Sequence, residues 1–142
     1  MRKGFDYTGI CVTFYCHDGA GNYLFHKRSP NCRDEHGRWD CGGGGLKFGE
    51  SLLDGVKREI GEEYAVEPME IEMLGVSDVF REIGGEKSHW VAFRYKVLVD
   101  RKKVVNNEPE MHEELDWFRI DSLPSPLHSQ IPDELELYKD KL

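Results

Sequence analysis

Between Val91 and Val99 every second residue is apolar: Val91, Phe93, Tyr95, Val97 and Val99, with Arg94 and Lys96 among the intervening positions. A period of two puts one set of side chains on one face, so this segment is predicted as a half-buried strand. Residues 5–16, rich in Ile, Val, Phe, Tyr and Thr, predict a first strand. The turn cluster Asp18-Gly-Ala-Gly-Asn22 then reverses the chain, and Tyr23 to Lys27 is the return strand of a hairpin. Ser29 to Trp39 is polar and reads as a loop. Residues 69–80 predict another strand, followed by a turn at Ile83-Gly-Gly-Glu-Lys87. A polar loop from Arg101 to Glu114 leads to a short strand around Leu115–Ile120. Pro124 and Pro126 break the chain, and Pro132 to Lys141 predicts a terminal helix. Strands and helices in this order argue for an α/β domain with a mixed sheet, and residues 1–142 fit a single domain.

The remaining periodic segment, Ser51 to Tyr64, has helical spacing. With Leu52 set at zero and about 100° per residue, Val56 falls near 40°, Ile60 near 80° and Leu53 near 100°. On the same wheel Glu63 lands near 20°, inside the apolar arc, while Glu59 (about −20°) and Glu62 (about −80°) border it. A carboxylate among core-facing residues is costly unless it is paired or bound to a cation, and three converging carboxylates repel one another. A hard divalent cation with oxygen ligands, Mg²⁺ above all, relieves both costs. The alternative is a solvated acidic face, the common fate of charge runs. Upstream, Gly42 to Gly45 allows close approach of backbone to a ligand, or is a simple flexible turn.

Composition narrows the function classes. With 39% hydrophobic residues the chain is that of an ordinary globular protein, and no apolar run approaches a membrane span. The N-terminus lacks the apolar core of a signal peptide, so a cytoplasmic location is expected. A formal net charge of −8 repels a phosphate backbone and argues against long nucleic acid as a partner, whereas a metal ion can offset the charge for a small phosphorylated substrate. Cys11, Cys16, Cys32 and Cys41 form no C-x-x-C pair. The group Cys32, His36 and Cys41 fits no common zinc spacing, so free thiols are expected.

Gly44, Glu50, Arg58, Glu59, Ile60, Glu62, Glu63 and Val66 stand in the register of the Nudix signature, with Trp39 and the Gly43-Gly44 pair also matching. On these residues the chain resembles the Nudix hydrolases over its whole length. The resemblance implies an α/β/α sandwich with a mixed sheet, and hydrolysis of phosphoanhydride bonds with Mg²⁺, or Mn²⁺ in its place. It implies metal ligation by Glu59, Glu62 and Glu63, a further ligand in the carbonyl of Gly43 or Gly44, and a second-site or water-mediated role for Glu50. Arg58 would orient the glutamates. The general base comes from a helix glutamate or from a later loop, where Glu110 and Glu113 are the candidates. Arg28 would face substrate, and Phe80, Trp90 and Trp117 are candidates to stack on a base, with core packing as the alternative. Two departures are Ala65 where the signature has glycine, and Gly42 where a proline is frequent.

The substrate markers are fewer. Leu46-Lys-Phe-Gly-Glu50, Glu108-Pro-Glu110 and Leu123-Pro-Ser-Pro-Leu127 resemble MutT-like nucleoside triphosphate pyrophosphohydrolases. Arg28-Ser29, Arg33 and Gly37 keep part of the spacing of coenzyme A hydrolases. Phe80 and Arg81 stand where ADP-ribose hydrolases carry a proline. Nucleoside triphosphate hydrolysis is therefore the leading expectation, with coenzyme A, ADP-ribose or a nucleotide sugar as alternatives. A non-catalytic nucleotide-binding sensor is the reading of another class. A homodimer is compatible with the sequence.

Overall fold

A computed structural model describes residues 1–142. Seven strands and two α-helices follow in the order β1 (Gly9–His17), β2 (Asn22–Arg28), β3 (Trp39–Asp40), β4 (Gly42–Gly45), α1 (Leu52–Tyr64), β5 (Glu70–Ile83), β6 (Glu86–Leu98), β7 (His112–Arg119) and α2 (Ile131–Leu137). A 3₁₀ turn occupies Arg101–Lys103.

The sheet is mixed. β1 runs parallel to β6 from Gly9 opposite Trp90 to His17 opposite Leu98, and β5 continues the sheet antiparallel to β6. On its other side β1 forks. Cys11–Phe14 pair antiparallel with the β4 glycines, while only the far end, at His17, meets β2. β2 then pairs with β3 and with β7. The fork opens a gap between β1 and β2, and the cleft described below lies there.

Alternation along β1 and β6 creates two apolar layers. Val12, Phe14 and Cys16, with Tyr95 and Val97, face Val56, Ile60 and Tyr64 of α1. Tyr15, Tyr23, Phe25 and Leu74 face Ile131 and Tyr138 at the opposite side, where α2 packs. The α/β/α sandwich follows from these two faces. Arg94, polar within the β6 alternation, turns to the α2 side, where its Nε donates to Glu134 Oε1 at 2.7 Å. The Tyr15 hydroxyl donates to the same oxygen at 3.0 Å.

Several boundaries differ from the sequence expectation. The first strand begins at Gly9, because residues 2–7 form turns instead of extended chain. This N-terminal segment closes over Trp90: a Cβ on Gly4 or Gly9 would come within 2.3 or 2.6 Å of the indole. The glycine run expected as a loop pairs as β4, since Gly42 lies so close to the Phe14 ring that a Cβ would approach it to 2.0 Å. β7 starts at His112, three residues before the expected start, inside the segment read as loop. α2 ends at Leu137 and gives way to turns. Leu53, placed in the core arc by the helical wheel, is half exposed.

Candidate active site

α1 is started by Ser51, whose hydroxyl accepts from the Asp54 amide at 3.1 Å. It ends at Ala65, which takes the left-handed conformation (φ 54°, ψ 35°) that glycine adopts more readily, with its amide bonded to the Gly61 carbonyl. The departure from the signature thus keeps the cap geometry.

Between these ends the helix presents its carboxylates at graded depth. Glu63 is buried at 5% exposure, Glu59 is half-buried and Glu62 is exposed. The Gly43 amide donates to Glu63 Oε2 at 3.0 Å. Burial, and the neighbouring Glu59, still push the Glu63 carboxyl well above its usual range. Glu59 is raised by burial against the pull of Arg58. Its carboxylate lies directly over Gly44, where a Cβ would sit 2.2 Å from it, so a side chain there would displace the carboxylate.

Arg58 binds the cluster together. Its Nε donates to Glu50 Oε2 and its Nη1 to Glu59 Oε1, both at 2.7 Å, and Nη1 reaches Glu62 at 3.3 Å. Nη2 donates to the Gly45 carbonyl and to Glu50 Oε1, each at 3.0 Å. The Arg58 hydrogen bonds hold the Glu50 carboxyl down at about 2, so Glu50 is ionised and occupied by the arginine.

A further carboxylate comes from the loop before β7. Val105 and Asn107 donate their amides to the carbonyls of Tyr64 and Glu63, and the Asn107 side chain donates to the Glu62 carbonyl. These bonds satisfy carbonyls that the end of a helix leaves open, and they dock the loop on α1. Glu108, next in the chain, consequently lines the cleft with Glu59 and Glu63. Burial and the charge of Glu59 raise its carboxyl. Glu110 and Glu113, the candidates from sequence, are exposed and do not line the cleft. Glu110 contributes its carbonyl, which accepts from Ser29 Oγ and Asn31 Nδ2.

The cleft has a volume of about 330 Å³ and a mostly polar lining. Arg28 lines it, but the guanidinium is committed to Asp34 (3.0 Å) and Asp40 (3.4 Å). Arg81 holds Asp34 from the other side at 2.9 Å. Phe80 lies outside the cleft, 72% exposed and stacked on His89 at 4.4 Å. Trp90 lines an adjoining depression beneath the N-terminal segment. Trp117 packs against the α1 core under the Arg101 guanidinium. The base-stacking expectation for these aromatics therefore meets no aromatic ring in the cleft except its histidines, His26, His112 and His128. The four cysteines are free, and Cys32 donates to the Met111 carbonyl, away from any zinc group.

The buried carboxylate, the glycine strand against it and the arginine clamp occur in the order of the signature, and the family model for the NUDIX domain matches residues 8–140. The chain belongs to the Nudix family. It is a Nudix hydrolase of the MutT-like kind. A MutT Nudix hydrolase from Burkholderia pseudomallei is 30% identical, with 92% of this chain and 98% of that one covered and a TM-score of 0.80. A MutT protein from Methanosarcina mazei Go1 is 25% identical over 94% of both chains, with a TM-score of 0.76. The Nudix domain of Shewanella oneidensis NrtR, solved with ADP-ribose, shares the fold at 20% identity, 96% and 90% coverage and a TM-score of 0.73. No helix of the Nudix chain is long and apolar enough to cross a membrane.

Proposed function

We propose that this Nudix hydrolase splits nucleoside triphosphates to a monophosphate and pyrophosphate, with Mg²⁺ as its metal and Mn²⁺ as a substitute. The observation that supports this reading most is the convergence of Glu59, Glu63 and Glu108 on one cleft wall against the Gly43–Gly44 backbone. Glu63 is buried, and its one close hydrogen bond comes from the Gly43 amide, so a cation fits the cost of ionising it. Glu59, Glu62 and Glu63 would hold that ion, with the Gly43 or Gly44 carbonyl beside them. A bound divalent ion neutralises phosphate charge and lowers the pKa of a water.

The chain's own groups do the rest. Arg58 keeps Glu59 and Glu62 in place, and Glu50 fixes Arg58 in turn. Glu108, which lines the cleft beside Glu59 and Glu63, would accept the proton of an attacking water. Arg28 shapes the cleft wall by holding Asp34 and Asp40. The same contacts weigh against coenzyme A, because Arg28 and Ser29 of that partial motif are engaged in anchoring the 29–38 loop and the Glu110 carbonyl.

The test is a panel of dNTPs, oxidised dNTPs, ADP-ribose, coenzyme A and dinucleotides, assayed with Mg²⁺ and with Mn²⁺. Pyrophosphate release from a nucleoside triphosphate is expected, falling at least ~100-fold in Glu62→Gln and in Glu63→Gln. Near-normal rates in both variants, or nucleotide binding without turnover across the panel, would overturn the reading.

A further inference from the structure

On the floor of the cleft, behind the carboxylate wall, three buried groups come together that the hydrolytic reading does not use as a set. One ring nitrogen each from His26 and His112 and a carboxylate oxygen of Glu63 lie within 4.8 Å of one another. His26 is 3% and His112 4% exposed, and their rings stack with centroids 3.8 Å apart and planes inclined by 21°. His112 Nε2 stands 3.4 Å from Glu63 Oε1. His112 Nδ1 is buried with no hydrogen-bond partner at all. Such an orphaned buried polar atom calls for a physical reason.

We propose that His26, His112 and Glu63 form a second cation site, selective for a borderline divalent ion such as Zn²⁺ or Co²⁺ over Mg²⁺. Two imidazoles and one carboxylate, with a remaining position open to the cleft, are the donor set that such ions take in three-ligand sites. Mg²⁺ prefers all-oxygen surroundings, so the nitrogens discriminate against it. The His26 ring is already oriented for ligation, since its Nδ1 lies 2.9 Å from the Tyr64 hydroxyl, which fixes the ring and leaves Nε2 for a ligand. Tyr64 follows Glu63 on α1, and His112 opens β7, so the three ligands stand on rigid elements. The rings are stacked, so ligation requires the His112 ring, whose Nδ1 has no partner, to turn relative to the fixed His26 ring. Because Glu63 also belongs to the carboxylate wall, ions at the two places are linked through it.

Crystals of the full chain soaked in Co²⁺ with excess Mg²⁺, measured at the cobalt absorption edge, locate the ion directly. The expected result is an anomalous peak bonded to His26, His112 and Glu63. In solution, Co²⁺ titration followed by visible absorption is expected to weaken at least ~10-fold in His26→Gln and in His112→Gln, with Mg²⁺ affinity by calorimetry changed less than about twofold. A cobalt peak held only by Glu59, Glu62 and Glu108, or by a cysteine sulfur, or no peak, overturns the proposal. Equal weakening of both metals in the variants does the same. Should a variant fail to fold by circular dichroism, the anomalous map of the unaltered chain decides.

Discussion

At the residue scale, the contrast between Glu108 and Glu110 carries the sharpest expectation. Glu108→Gln should lower turnover at least ~100-fold, as loss of a general base does. Glu110→Gln and Glu113→Gln, altering exposed carboxylates, should stay within a few-fold of the unaltered rate. Comparable losses in all three would instead mean that the loop acts by its total charge. Glu63 was legible in the sequence because helical geometry alone put a carboxylate among apolar neighbours. Glu108 was not, because its position depends on Asn107 and Val105 docking on the end of α1, a tertiary event without a periodic signature. The only local hint was the pair Asn106-Asn107, residues suited to capping free carbonyls. A second expectation concerns His112. Its pKa is about 4 in the fold against the ordinary value near 6.5, so the unfolded chain takes up the proton first as pH falls. The contribution of this ring to stability is complete above about pH 6.5 and is lost as pH drops toward 4. Glu63 and Glu134, raised by burial, change stability in the opposite direction over acidic pH. Ring titration by NMR in EDTA is therefore the clean readout, with an expected midpoint near 4; a midpoint near 6.5 would show a solvated ring.

At the scale of elements, α1 holds the clearest test. Ala65 sits at φ 54°, where a Cβ is strained and glycine is not. Ala65→Gly should stabilise the protein by about 0.5–1 kcal/mol in urea denaturation with turnover unchanged. A loss of stability would mean that the Cβ makes a compensating contact. The helix and the alternating β6 were readable because their periods are set by backbone geometry. β4 was hidden by its composition. Four glycines carry no hydrophobic pattern, and their pairing with β1 brings Gly42 against the Phe14 ring, Gly43 against the Val12 carbonyl and Gly44 against the Glu59 carboxylate. The early start expected for β1, at Phe5, failed for a related reason: Phe5 and Tyr7 alternate as in a strand, but residues 2–7 are drawn into turns over the Trp90 indole.

For the whole molecule, one buried ion pair joins the sheet to the α2 layer. Arg94 and Glu134 are 4% and 8% exposed, and Tyr15 and Ser77 complete their hydrogen bonds. Glu134→Ala leaves the guanidinium buried and unpaired, and should cost about 3–5 kcal/mol by urea denaturation. A cost below about 1 kcal/mol would indicate that water reaches Arg94. The layered arrangement was expected from the order of elements, whereas this cross-layer pair was not, since no spacing rule relates a strand position to a helix so far along the chain.

The parallel partnership of β1 with β6 also has a consequence in time. The first strand cannot take its central place until Leu98 has left the ribosome, and at about 5–20 residues per second that wait lasts several seconds. Throughout it Val12, Phe14 and Cys16 have no partner from β6, and α1 can rest only on the small β1–β4 unit. Newly made chains should therefore be most vulnerable to aggregation and to chaperone capture before residue 98 emerges, and a message that slows translation just after α1 should lower the soluble yield.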